Sequence, residues 1–375
     1  MKNYEIKVIT AVNDALRPLF CGIFIFTVNV NVSYASDKSE VNSKKSSEVV
    51  PEIKTFSEKL KLSETPDLEE NKPVVDPELQ AIDSSEFDYC DGQPWLDDWY
   101  CHFNYGVDVA VVEVNNWFVH ESTPATKRRP ARASGKLRFG WEPRSGDLSQ
   151  LDFRFKIRAK LPALEDRVEL FLSDDEEDVN QQAVKAARSQ QLGSDDQATV
   201  ALQFKDEPDS RIAYRVGFGR GSQIYTRARY SDSKKLNERN TLSYFAEVNY
   251  YTDDQFGAET KISFSHTISK NEAIEFDNTF RYRDKTEDLF WRHEVQYLYL
   301  HDSKTSYLFT AMVDGLNKPS YKEEQVLLSM RYKRNVLRPW LFVEIEPFLL
   351  WLREENFRTS VGIAMRLEVH FPDYY

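Results

Sequence analysis

From Ser134 onward the chain repeats one theme: apolar and polar positions alternate for eight to sixteen residues, then a few turn residues intervene. In an extended strand successive side chains point to opposite faces, so each such run makes one greasy face and one polar face. The stretch 151–160 shows it plainly, with Leu151, Phe153, Phe155, Ile157 and Ala159 set against Asp152, Arg154, Lys156, Arg158 and Lys160. The closing stretch 356–371 does the same over a greater length: Phe357, Val361, Ile363, Met365, Leu367, Val369 and Phe371 share one parity. Arg358, Ser360, Gly362, Arg366, Glu368 and His370 share the other. A run of that length exceeds the roughly five or six residues usual in globular sheets.

The pattern predicts strands at 134–142, 149–160, 167–173, 197–205, 211–219, 223–231, 241–252, 256–268, 273–283, 288–300, 305–314, 324–333, 340–351 and 356–371. Turn chemistry separates them, as in RSGD at 144–147, DEPDS at 206–210 and DGLNKP at 314–319. An even number of long alternating strands predicts an all-β fold, a transmembrane antiparallel β-barrel of about 14 strands, or 12 if a short early pair fuses. With the N-terminus on the periplasmic side, the third strand runs outward and the long loop 174–196 falls outside, where such barrels keep long loops. A soluble sandwich of this size would have shorter strands and a boundary between two cores, and no linker interrupts 134–371.

Upstream the pattern changes three times. Residues 1–35 read as a signal peptide: Lys2, Lys7 and Arg17 precede a short apolar run, and Ser33 and Ala35 supply the small residues a peptidase reads. Residues 36–88 are rich in Ser, Glu, Lys, Asp and Pro without apolar period, which predicts a disordered periplasmic arm, a passive linker in the first place and a tether for a periplasmic partner as the alternative. Residues 89–133 contain an aromatic stretch at 95–119, introduced by Pro94 and spaced as a helix, with a strand at 107–114 as the competitor. This helical segment is the candidate plug for the mouth or lumen, and the basic linker KRRPAR at 127–132 leads from it into the barrel, 134–371. Cys21 leaves with the signal, so Cys90 and Cys101 form an even pair and are expected to make a disulfide.

Composition narrows the class. The net charge of -12 lacks the basic footprint of a nucleic-acid binder. A mean hydropathy of -0.58 does not exclude a membrane, because barrel strands are polar at every other residue.

With the apolar parity turned to lipid, the lumen is expected to be lined by Arg154, Lys156, Arg158, Glu259, Glu275, Asp277, Arg281, Arg292, Glu294, Glu344, Glu346, Arg366 and Glu368, among others. Opposite signs on neighbouring strands attract, so these charges are expected to pair and to fill the barrel or narrow it to a small-solute channel. The alternative is an outer-membrane hydrolase acting on lipid or peptide substrates, for which Ser263, Ser265, His266, His293 and Glu294 offer fragments of a triad. Ser263 and Ser265 lie on the strand face opposite His266, which argues against it. The acidic run at 174–178 lacks the glycine and spacing of a calcium loop, and no cofactor or metal motif is apparent. The expected partners are outer-membrane lipid and lipopolysaccharide, the barrel-assembly machinery and the periplasmic partner of the arm.

The segments SGKLRFGWEP, LDFRFKIRAKLPALEDRVELFLSDDEED and RPWLFVEIEPFLLW, with the closing GIAMRLEVHF, resemble a group of uncharacterised proteobacterial outer-membrane β-barrel proteins. The resemblance covers 95–371 and carries no catalytic motif. It implies residence in the outer membrane of a Gram-negative bacterium. The terminal aromatic read by the assembly machinery would be Phe371, although residues 372–375 follow it.

Overall fold

The computed structural model describes residues 56, 59, 60, 94–116, 133–148, 150–164, 167–174, 184–187, 199–207, 209–219 and 223–371. The expected signal peptide, the rest of the arm, Cys90 and the basic linker lie outside these residues. A helix, α1 (Trp95–Asn116), is followed by β1 (Ala133–Trp141), β2 (Leu151–Lys160), β3 (Val168–Ser173), β4 (Thr199–Phe204), β5 (Ile212–Gly219), β6 (Gln223–Lys235) and β7 (Asn240–Tyr251). The second half comprises β8 (Gln255–Thr267), β9 (Glu272–Arg283), β10 (Asp288–Leu300), β11 (Thr305–Leu316), β12 (Lys322–Asn335), β13 (Leu341–Leu352) and β14 (Ser360–Phe371).

Each strand pairs with the next, and β14 returns to β1, so the sheet closes into a 14-stranded barrel. All pairings are antiparallel, and closure is set by Gly135 opposite Phe371 and Trp141 opposite Met365. Closure removes the exposed strand edges that lipid could not hydrogen-bond. The fourteen predicted spans match the fourteen strands to within two residues at each end, except that β6 runs four residues further, to Lys235, and the closing strand starts late. The closing strand begins at Ser360, because Asn356 and Phe357 take left-handed backbone conformations (φ 53° and 54°) that no strand accommodates.

Burial inverts the order of a soluble protein. Arg138, Arg281, Arg292, Glu344, Glu346, Arg366 and Glu368 are buried, while Phe153, Phe218, Val248, Val361 and Leu367 are exposed. The charged parity faces the interior and the apolar parity faces outward, as a lipid-spanning barrel requires.

Helix α1 forms where the sequence places it, against the β-preference of its valines. The Pro94 carbonyl accepts from the amides of Asp97 and Asp98 at 2.9 and 3.1 Å, and the two carboxylates sit in the first turn, where the helix dipole favours them. Val107 and Val111, one turn apart, pack against Ala133, Ala159, Ile157 and Leu170. Leu96, Tyr100 and Phe103 pack against Leu137, Leu341, Val369, Phe371 and Trp340. The strand residues in these contacts belong to the outward parity, so α1 lies on the outer wall at the periplasmic end. Its shelter is measurable along one strand face: Val361 is 56% exposed and Phe371 1%.

The expectation that this segment plugs the lumen is therefore corrected. Its apolar stripe matches the greasy outside of the wall, and a charged lumen offers it nothing to bury against. The segment that enters the lumen comes from the arm. Helical residues Phe56 and Leu60 pack against Ala273, Leu298, Leu308 and Leu300, all inward-facing on β9, β10 and β11. The Phe56 amide donates to Ser265 Oγ at 3.2 Å, and Lys59 Nζ donates to the carbonyls of Ser269 and Glu272, the latter at 2.9 Å.

Candidate functional site: a charged lumen

The period of two places every inward side chain, and the antiparallel register decides which charges meet. Where register partners have opposite sign they bond. Glu259 and Arg281 face each other across β8 and β9, and Arg281 Nε donates to Glu259 Oε2 at 2.8 Å. Arg292 and Asp314 do the same across β10 and β11 at 2.7 Å. Across β13 and β14 Glu344 faces Arg366, whose guanidinium also reaches Glu142 at 2.7 Å and Glu346. Arg331 joins Glu346 at 2.8 Å, Lys333 lies 3.4 Å from Glu344 and bonds Glu368, and Arg138 lies 3.5 Å from Glu368. The network thus crosses the closing seam of the barrel from β12 to β1.

A second cluster lines β8–β10. Lys261 holds Asp277 at 2.7 Å, Gln296 donates to Glu294, and Glu275 lies on the same inward face of β9. On the extracellular side of the seam network lies an apolar layer: Met312, Leu327, Phe348, Leu350, Leu352 and Ala364 pack with Val184 and Ala187 of the long β3–β4 loop. Those two loop residues are fully buried, and the Ala187 carbonyl accepts from Gln325 Nε2 at 2.7 Å. Gly362 is required here, since a Cβ would stand 2.2 Å from the Phe348 ring. The loop, expected to stand outside, therefore turns this part of itself into the barrel mouth.

On β1, β2, β5 and β6 the expected alternation of sign fails. Lys136 faces Lys156, Arg138 faces Arg154 and Arg215 faces Arg227. Arg158 and Arg215 both lie over the Phe171 ring, with guanidinium carbons 5.0 and 4.3 Å from its centroid. A small cavity of about 20 Å³ lies against this wall, lined by Lys136, Arg138, Arg154, Phe155, Lys156, Ser173 and Asp174. Asp174, just beyond β3, accepts from the Phe155 amide at 3.0 Å, and burial pushes its carboxyl up to about 6. At the other end, burial lowers the Lys59 ammonium while Glu272 opposes the shift.

Reading by parity overlooked Arg227 and Asp314, which share the inward register of their strands, and Glu142, which follows directly on β1. The inserted pieces, Phe56 to Leu60 and Val184 to Ala187, carry no periodic signal that could have placed them. The fragments of a triad remain apart: Ser265 is buried on the inside and bonds the Phe56 amide, whereas His266 is on the opposite face with Nδ1 2.6 Å from Asn240 Oδ1. His293 Nδ1 lies 2.7 Å from Asn278 Oδ1. Among the described residues no group of three or more His, Cys, Asp or Glu is arranged to hold a metal ion.

Closed strand pairing, lipid-facing grease and an ionised interior together define an outer-membrane β-barrel protein. No protein-family model matches the sequence, and no curated protein matches it. Solved structures similar in part include the outer membrane channel DcaP of Acinetobacter baumannii, at 7% identity and TM-score 0.42, covering 64% of this chain and 97% of that one. The high-pH structure of Pseudomonas putida OprB gives 10% identity and TM-score 0.43, covering 64% and 94%. KdgM porin in complex with disordered oligogalacturonate gives 5% and 0.33, covering 64% and 99%. The barrel of this chain is defined by its own strand pairings.

Proposed function

We propose that this chain is an outer-membrane barrel of a Gram-negative bacterium whose lumen is filled, and closed to steady flow, in the state described. The observation that carries the reading is the burial of the seam network: Arg366, Glu142, Glu344 and Glu346 are each at most 2% exposed at the side chain, with the three carboxylates gathered around the one guanidinium. In a wet pore these groups would contact water. Here the guanidinium and the carboxylates face one another instead.

A narrow small-solute channel is the second reading, favoured by the cavity along β1–β3. A hydrolase has no support from the separated Ser265 and His266. The planar-bilayer experiment decides between the first two. The full chain is expected to give no stable current steps at neutral pH, and stable steps from the full chain would overturn the filled-lumen reading.

The Cys90–Cys101 bond remains part of the proposal, supported by Cys101 being in a disulfide and by Cys21 falling in the expected signal. Lipid and lipopolysaccharide around the outward face, and an assembly machinery reading Phe371 before α1 covers it, are the partners this reading implies. The arm's periplasmic partner remains an expectation of its composition.

A further inference from the structure

The outward wall of β9 and β10 carries a side-chain pair that hydrocarbon cannot satisfy. Asn278 and His293 are register partners on the lipid-facing parity, with His293 Nδ1 2.7 Å from Asn278 Oδ1. An amide oxygen only accepts, so Nδ1 carries the hydrogen and Nε2 is left with a lone pair. Both side chains are half-buried, and neither makes another hydrogen bond among the described residues. The lone pair of His293 Nε2 and the two amide hydrogens of Asn278 are therefore unmet. Their surroundings are apolar: Phe276 and Phe280 flank Asn278 along β9, Val295 follows on β10, and Ile262 and Val313 are the register partners on the outer sides. Trp291 stands two residues nearer the extracellular end, at the level where aromatic girdles meet the headgroups, so the pair lies below it in the acyl region. Polar groups at that depth are costly unless another group meets them. The same two residue types meet at Asn240 and His266, 2.6 Å apart, but Asn240 opens β7 at the periplasmic end, where water and headgroups reach.

We infer that Asn278 and His293 form the centre of a contact between two copies of this chain, in which each Asn278 amide donates to the partner's His293 Nε2. Donor and acceptor lie side by side on the patch, and a two-fold axis along the bilayer normal makes such a patch complementary to itself. A second copy also brings its own pair to the same depth, because both barrels sit in one bilayer. Lipid does not: its polar groups gather at the girdle level, and the acyl chains below it offer neither donor nor acceptor. Val295, Val313 and Ala311 beside the pair are short, so two walls can approach closely there. The contact requires only that this wall face lipid, and it is indifferent to whether the lumen is filled.

Sedimentation equilibrium of the full chain in density-matched detergent tests it, and a monomer–dimer equilibrium is expected. Asn278→Leu and His293→Leu are each expected to raise the dissociation constant about tenfold, the effect of losing two hydrogen bonds between membrane segments. The double variant is expected to lose no more than either alone, since each single change already breaks both bonds. Asn240→Leu, at the hydrated pair, is expected to leave the equilibrium unchanged. Monomer at every concentration, or the same dissociation constant for Asn278→Leu and the unaltered chain, would overturn the inference. A bond serving only to hold β9 to β10 would instead lower the unfolding midpoint of the monomer in these variants while leaving association untouched, which also overturns it. In outer membranes, a short bis-maleimide is expected to join Val295→Cys chains into dimers and to leave Val216→Cys chains, altered on the outward face of β5, as monomers. Equal yields from the two would show that the wall of β9 and β10 has no preferred neighbour, against the inference.

Discussion

Arg366 shows at residue scale how strongly the interior depends on pairing. It is fully buried and serves Glu142, Glu344 and Glu346 together. Arg366→Met removes the cation and leaves those carboxylates buried beside the remaining Arg331, so a loss of about 3–5 kcal/mol is expected in urea unfolding from detergent. Leu367→Ala, one position along and facing lipid, is expected to cost far less, and comparable losses would contradict the buried network. Asp174 supplies the pH dependence. Its carboxyl sits above its unfolded value because burial disfavours the ion, so the folded state binds the proton more tightly. The stabilisation is present below about pH 4 and is lost as pH rises through about 6. Asp174→Asn is expected to flatten the unfolding midpoint across that window, and an unchanged pH profile would show that the group is solvated.

At the scale of elements, α1 is the informative case. Its first turns are tied to the wall by Asp97, which takes two hydrogen bonds from Arg338 at 2.6 Å each, and by Tyr100, whose ring stacks with its centroid 4.2 Å from that of Trp340. The Arg338 guanidinium holds the Asp97 carboxyl below its usual range. Trp95 and Trp99 are left exposed beside a lipid-facing wall, and tryptophan favours the headgroup level of a bilayer. Brominated lipid is expected to quench a fraction of the tryptophan emission that disappears in Trp95→Phe, Trp99→Phe. An unchanged quenched fraction would place the helix away from lipid. The helix could be read from Pro94 and the aromatic spacing, but its side of the wall could not, since an amphipathic stripe names a greasy partner without saying which of several it meets.

For the molecule as a whole, the alternation repeated over fourteen spans, clearest in Leu151 to Ala159 and Val361 to Phe371, was enough to predict the barrel. The order of neighbours follows from short antiparallel connections. The charge partners were legible only in part. Glu344 and Arg366 meet because their strands are adjacent in register, but Lys136 meets Lys156 by the same rule, and no composition argument foretells which sign falls opposite which.

Local alternation determined strand, face and closure, because a side chain's face depends only on its position within its own strand. What occupies the barrel was decided in three dimensions. Phe56 reaches Leu298, and Val184 reaches Phe348, across separations at which the chain carries no periodic trace of the contact. Such contacts exist because the closed wall creates an enclosed volume that must be filled, and that volume exists only once all fourteen strands are paired.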